Sequence, residues 1–196
     1  MRNASREIEP FLSGELVHLD ALNPDNFDIY AEWSNNPQLR MISHDLRIFP
    51  VTLEEQRILL EPSKDYLSNS FRFEVTEKKT KKIIGLAGLE KINYIDRHAE
   101  LNILLIPSFD SRNFYLDVLS LLIEYGFREF NMYRLSILIP EIKKDWNSHV
   151  KHFGMIYEMT RQEDRYINGC YKDVDEFSIL KDEWEGIHLK KSKRGV

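Results

Sequence analysis

Ala99 to Arg134 reads AELNILLIPSFDSRNFYLDVLSLLIEYGFREFNMYR, and its pattern decides the fold. Leu101 to Ile106 is a β-rich apolar run that stops at Pro107. A short polar segment follows, then one long helical pattern from about Phe114 to Phe130. Asp117, Ser120, Glu124 and Arg128 recur at spacings of three and four, so they form one narrow polar stripe on that helix. Val118, Leu119, Leu122, Ile123, Tyr125 and Phe127 occupy the rest of its circumference. Such a helix is buried on most sides against a sheet. A second β-type run, Tyr133 to Ile139, follows at once, so the unit is a strand, a crossover helix and a parallel strand. In that unit the free N–H groups of the helix N-terminus point beyond the strand end, where an anion is favoured.

The chain of 196 residues is long enough for one domain with a sizeable core and short for two. Its 42% hydrophobic and 30% charged residues match a folded globular protein, and the aromatic share of 12% supports a filled core. A net charge of -5 argues against a general nucleic-acid binder, whose affinity comes from a basic face against phosphates. No apolar run approaches the ~18 residues of a membrane span, no signal-peptide pattern opens the chain, and the lone Cys170 has no internal disulfide partner. These features predict a cytoplasmic protein without a membrane or nucleic-acid partner. No His or Cys pair has metal-ligand spacing with a partner, so no metal is expected, and His98, His149 and His152 read as surface residues.

Residues 1–13 read as a flexible leader, residues 14–184 as the single domain, and residues 185–196 as a solvated basic tail. Within the domain, Glu15 to Leu19 is the first strand. A helix follows Pro24, carries Phe27, Ile29, Tyr30 and Trp33 on its apolar face, and ends at Asn35, Asn36 and Pro37. Thr52 and Glu55 form a capping box for a second helix, which would turn Ile58, Leu59 and Leu60 inward. Phe71, Phe73 and Val75 alternate with Arg72, Glu74 and Thr76, a strand with one buried face. Ile83 to Ile92 is the next strand, with Gly85 and Gly88 marking close backbone approach. After the crossover unit come a short polar helix within Glu141 to Phe153 and two strands, Met155 to Thr160 and Asp173 to Leu180. Asn168 and Gly169 supply the turn between them.

Three of these stretches together resemble the GCN5-related N-acetyltransferases, in particular the branch acting on ribosomal-protein N-termini or polyamines. Members of that branch carry a strand of the form A-E-F-Q-I-I-I, a loop Q-G-K-G-Y-G/A and a helix ending D-Y-A-F-E-E-L-N-L-H-R. This chain has AELNILL, DSRNFY and EYGFREFNMYR in the same order, and its RYINGCYKDVDEFSILKDEW is similar to the branch's last hairpin. The resemblance spans roughly Gly14 to Trp184. It implies a mixed α/β fold: a mostly antiparallel twisted sheet with one splayed parallel pair and flanking helices.

The resemblance also implies acetyl transfer from acetyl-CoA to an amine, and it places the parts. Glu100 falls where the branch carries a carboxylate facing the acceptor amine, the expected general base. Ile103, Leu104 and Leu105 would offer backbone groups to the cofactor's arm, and Ser111, Arg112, Asn113, Phe114, Tyr115 and Leu116 form the loop at its diphosphate. Trp33 and His44 fall on the acceptor side, where Trp33 reads first as a core residue and second as a ligand contact. The acceptor would be a small-molecule or peptide amine, and a homodimer is in keeping with the branch.

Two places depart from the family pattern. Its small loop positions hold Ser111, Asn113 and Tyr115, and the leading position holds Asp110. If those residues adopt the left-handed backbone that glycine permits, each costs roughly 1–2 kcal/mol, on the order of a hundredfold in affinity together. Tyr115 would then stand either in the groove between the central strands, excluding the cofactor, or outside it. On the next helix the pattern N-x-x-A-x-x-x-Y-x-x-x-G-F meets KKDWNSHVKHFGM, so Lys143 replaces the Asn and Val150 replaces the Tyr that protonates the leaving thiolate. A second reading is therefore a member of the family that keeps the fold and binds a ligand or partner without this chemistry.

Overall fold

A computed structural model describes residues 9–42, 50–60, 68–109 and 111–192. His44 and Asp110 lie outside the described residues. The elements in chain order are β1 (Leu12–Ser13), β2 (Val17–Ala21), α1 (Phe27–Asn35), α2 (Pro37–Ile42), α3 (Leu53–Leu60), β3 (Phe71–Glu77), β4 (Ile83–Asn93) and β5 (His98–Leu105). After these come α4 (Arg112–Arg128), β6 (Arg134–Pro140), α5 (Asn147–His152), β7 (Ile156–Ile167), β8 (Cys170–Leu180) and α6 (Lys181–Ser192). The strands form one eight-stranded sheet in the order β1-β2-β3-β4-β5-β6-β8-β7. Only β5 and β6 run parallel, joined by α4 as the crossover, and the remaining pairs are antiparallel. This is the mixed α/β architecture expected.

Helix α4 lies on the sheet through Val118, Leu119, Leu122, Ile123 and Phe127, all buried against Leu101, Leu135 and Ile137. On its polar stripe Glu124 and Arg128 form an i,i+4 ion pair at 2.9 Å. Asp117 is turned inward: its carboxylate accepts from the backbone N–H groups of Glu15, Leu16 and Val17 at 2.9, 2.7 and 3.0 Å. Because these N–H groups go to a side chain, the ladder starts two residues later than expected, at Val17. The expected leader instead supplies β1, whose Leu12 and Ser13 pair with β2. The glycines of β4 do mark close approach: a Cβ at Gly88 would lie 2.0 Å from the Phe71 carbonyl oxygen, and one at Gly85 2.1 Å from that of Leu104.

Several expectations need correction. Asn36 and Pro37 end α1, yet Pro37 starts α2 at once, proline being acceptable in a first helical turn. The Thr52–Glu55 capping box forms reciprocally, at 2.8 and 3.2 Å, but Ile58 is 65% exposed. It stands two residues, more than half a turn, from Gln56, which faces inward and accepts from Ser34 Oγ. Strand β3 is not one-sided, since Glu74 is buried too. Strands β7 and β8 zip to their turn, where Asn168 and Gly169 both have positive φ as a right-twisted hairpin needs. Residues 185–192 of the expected tail belong to α6, which starts at Lys181 and is anchored by Trp184 against Phe127 at a ring separation of 5.4 Å.

Candidate active site

The parallel pair holds register from His98 opposite Arg134 to Leu101 opposite Ile137, and there it ends. Beyond that point β5 stays paired with β4 as far as Leu105, and β6 stays paired with β8 as far as Pro140. The two strands therefore splay, leaving backbone along their facing edges outside the ladder. Leu101, Ile103 and Leu105 form one wall of the resulting cleft, Ile137 to Pro140 the other, and Tyr115, Lys143 and Trp146 complete it. About 30 Å³ of water-sized room remains between them.

Helix α4 begins at this cleft. Ser111 is its N-cap in an extended conformation, and Tyr115 N–H makes the first intrahelical bond, to the Ser111 carbonyl at 3.1 Å. The N–H groups of Arg112, Asn113 and Phe114 have no intrahelical acceptor, as in any first turn. None of Ser111 to Leu116 has positive φ. The expected left-handed strain is thus absent, because residues from Arg112 onward are already helical and pay nothing for their Cβ atoms. The change is steric instead. The Tyr115 ring stands in the cleft wall with 3% exposure, edge-on to Trp146 at a centroid distance of 3.7 Å. It narrows the groove without closing it. Burial raises the Tyr115 hydroxyl well above the ordinary tyrosine range.

Lys143 sits at a kink inside the 3₁₀ segment Glu141–Trp146, its ammonium 4.5 Å from the Trp146 ring centroid. Burial holds its pKa below the usual lysine value, with Asp145 opposing. His149 is half-buried rather than on the surface, with Nδ1 buried and unpartnered. Burial first, then the charge of Arg112, lowers its pKa. Val150 is fully buried in the core.

On β5, Glu100 faces opposite to Leu101, Ile103 and Leu105, on the side of the sheet away from α4. It is 6% exposed and ion-paired with Lys91 Nζ at 2.9 Å. Lys91 reaches it from a bulge in β4 where its φ is +50°. The same face carries Glu90 paired with Arg72 at 2.7 Å, Glu176 paired with Arg161 at 2.7 Å, and Glu74. Glu74 accepts from Asn26 Nδ2 at 2.8 Å and from the Tyr30 hydroxyl. Burial, then that hydrogen bond, pushes the Tyr30 hydroxyl far up.

The structure brings together only some of the residues expected from the sequence. Ile103 and Leu105 line the cleft with Tyr115, whereas Leu104 alternates to the other side of β5 and offers the site its backbone only. Phe114 packs edge-on against Phe109 at 5.4 Å, and Leu116 packs against the core, so neither side chain enters the cleft lining. Trp33 is half-buried beside Tyr30 at 6.0 Å. Trp146, unnoticed in the sequence, was visible in principle. It occupies the small position of the N-x-x-A pattern, three residues after Lys143.

Residues 17–156 match the family model described as an acetyltransferase (GNAT) domain. The chain is 28% identical over 122 residues to a spermidine N(1)-acetyltransferase of Vibrio cholerae, an alignment covering 62% of this chain and 70% of that enzyme. It is 25% identical over 104 residues to a putative ribosomal N-acetyltransferase of Bacillus subtilis, covering 53% of this chain and 57% of the other. Among solved structures, spermidine N-acetyltransferase from Vibrio cholerae in complex with CoA and spermine superposes with a TM-score of 0.78. That match covers 87% of this chain and 98% of the other at 23% identity. With 140 of its residues inside the family model, the chain belongs to the acetyltransferase (GNAT) domain family, the N-acetyltransferases that use acetyl-CoA as co-substrate.

Proposed function

We propose that the protein acetylates a small cationic amine, with a polyamine as the leading acceptor. The observation that carries this is the splay of β5 and β6 beyond Leu101 and Ile137, with the N-terminus of α4 at the same cleft. Acetyl-CoA supplies an acetyl group activated as a thioester. The edge of Ile103 to Leu105 that faces β6, outside the ladder, is suited to its amide-bearing arm. The N–H groups of Arg112, Asn113 and Phe114, helped by the Arg112 guanidinium, are suited to its diphosphate. Glu100 is the carboxylate we assign to the amine's proton, acting from the opposite face of the sheet. The polyamine reading draws on the relative from Vibrio cholerae and on the carboxylates Glu74, Glu90, Glu100 and Glu176 along that face. A polycation would have to compete there with Arg72, Lys91 and Arg161.

A second reading, a binding module without turnover, is favoured by Val150 at the proton-donor position and by the Tyr115–Trp146 pair in the cleft. Calorimetric titration with acetyl-CoA and CoA at low salt, followed by mass spectrometry of spermidine incubated with protein and acetyl-CoA, separates the two. Micromolar binding with a product 42 Da heavier supports the enzyme, that increment being the mass of an added acetyl group. Binding without product supports the module, and no binding at millimolar ligand sinks the enzyme and turns the module reading to another ligand or a macromolecular partner.

A further inference from the structure

An amine of this chain already stands where the assigned base must meet one. Lys91 Nζ lies 2.9 Å from a carboxylate oxygen of Glu100, and Glu100 is one residue short of Leu101, where the parallel ladder ends and the strands part. The contact is built into the backbone. Glu90 stands directly opposite Glu100 and shares its face, so strict alternation would send the next side chain, Lys91, through to the face covered by α4. The register shift after Glu90 and the φ of +50° at Lys91 break that alternation and aim the lysine beside Glu100 instead. A positive φ is uncommon outside glycine, so the bulge holds Lys91 there against its own backbone preference. The Lys91 side chain is 65% exposed and that of Glu100 8%, so the amine is free to swing towards the splay while the carboxylate stays in place.

We propose that Lys91 is a self-acetylation site, its Nζ taking the acetyl group of acetyl-CoA when no acceptor amine is bound. The proposal rests on the acetyl-CoA reading above and on Glu100 as the base. The Lys91 ammonium first gives one proton to Glu100, which passes it to solvent. The nitrogen lone pair then attacks the thioester carbonyl carbon, and the carbon–sulfur bond breaks with its electron pair on sulfur as the carbon–nitrogen bond forms. The second proton lost by the nitrogen ends on that sulfur, so the products are an amide at Lys91 and the thiol of CoA. The amide is neutral, and the modification therefore removes one of the cations with which a polycation competes on this face.

The test incubates the whole protein with acetyl-CoA carrying an isotopically labelled acetyl group and no added amine, and follows each lysine by peptide mass spectrometry. Lys79, exposed in the turn after β3, and Lys172, ion-paired with Glu141 at 3.4 Å, report uncatalysed acetylation. Lys91 should be labelled on the order of a hundredfold faster than either control, and Glu100→Gln should bring it down to their rate. The rate per molecule should not change when the protein is diluted, since donor and acceptor belong to one chain. Calorimetry with CoA on both proteins separates the two failures. With CoA bound, a Lys91 rate equal to that of the controls, or one unmoved by Glu100→Gln, would overturn self-acetylation and leave the acetyl-CoA reading standing. A rate proportional to protein concentration would overturn it too, the acetyl group then coming from a second molecule. Failure to bind CoA at millimolar concentration would overturn the two together.

Discussion

The carboxylate of Asp117, in the second turn of α4, accepts the backbone N–H of Leu16 at 2.7 Å across about a hundred residues of chain. With the bonds from Glu15 and Val17 it gathers the entry of β2 onto the helix that opens the active site. Charge-assisted bonds of this kind are worth about 1.5–3 kcal/mol each. Asp117→Ala should therefore destabilise the fold by about 3–5 kcal/mol, and Asp117→Asn by less, read as the midpoint of urea unfolding. Gly14→Ala should behave similarly, since its Cβ would sit 2.5 Å from the same carboxylate. A change below about 0.5 kcal/mol in Asp117→Ala would remove the anchor from the account.

Tyr30 and Glu74 join α1 to β3 on the face of the sheet that carries Glu100. Tyr30→Phe leaves the ring packing against Phe27 and Trp33 but strips a buried carboxylate of one donor. The expected cost is about 1.5–3 kcal/mol in equilibrium unfolding. Asn26 remains as a partner, so the loss should stay below that of removing the carboxylate by Glu74→Leu.

Glu100→Gln tests the assigned base. Turnover should fall by roughly a hundredfold or more while calorimetric affinity for acetyl-CoA stays within a few-fold. An unchanged rate would show that water or another group takes the amine's proton.

Stability should fall on the acid side. His18 and His149 both have pKa values lowered by burial, with nearby cations adding to the effect. The unfolded chain binds these protons more readily than the folded one, so stability is fully present above the ordinary value of 6.5. It declines as pH drops below that value towards the folded pKa values. Thermal unfolding between pH 7.5 and 5.5 should show this slope, and His149→Gln should flatten it. A slope unchanged in that variant would place the acid sensitivity elsewhere.

The crossover unit was legible because Asp117, Ser120, Glu124 and Arg128 mark the one polar line on an otherwise apolar helix, a pattern no strand reproduces. The far end of the sheet was less so. Residues 161–165 carry a register shift and a left-handed Glu163, so the alternation that announces a strand is broken just where β7 continues. Helix α6 was hidden by its lysines: KKSKR reads as a tail, and only the burial of Trp184 against Phe127 shows what holds the segment down. At the start of α4, pattern matching misjudged the conformation. Residues standing where glycines were expected suggested strain, whereas a helix already formed at Arg112 accommodates side chains freely. What they do depends on their direction in space, and no sequence spacing states that Tyr115 and Trp146 meet.

The splay also bears on how this sheet avoids its own kind. An exposed strand edge is a template for another chain's strand, the usual start of aggregation. Here the outer edges are a two-residue strand, β1, and β7, which is interrupted by register shifts and rich in charge. The unpaired backbone between β5 and β6 lies instead in the middle of the sheet, between walls formed by neighbouring strands and capped by aromatic rings. A whole polypeptide strand, with side chains on both faces, cannot enter there without parting the sheet, so this inner edge offers no template for strand addition.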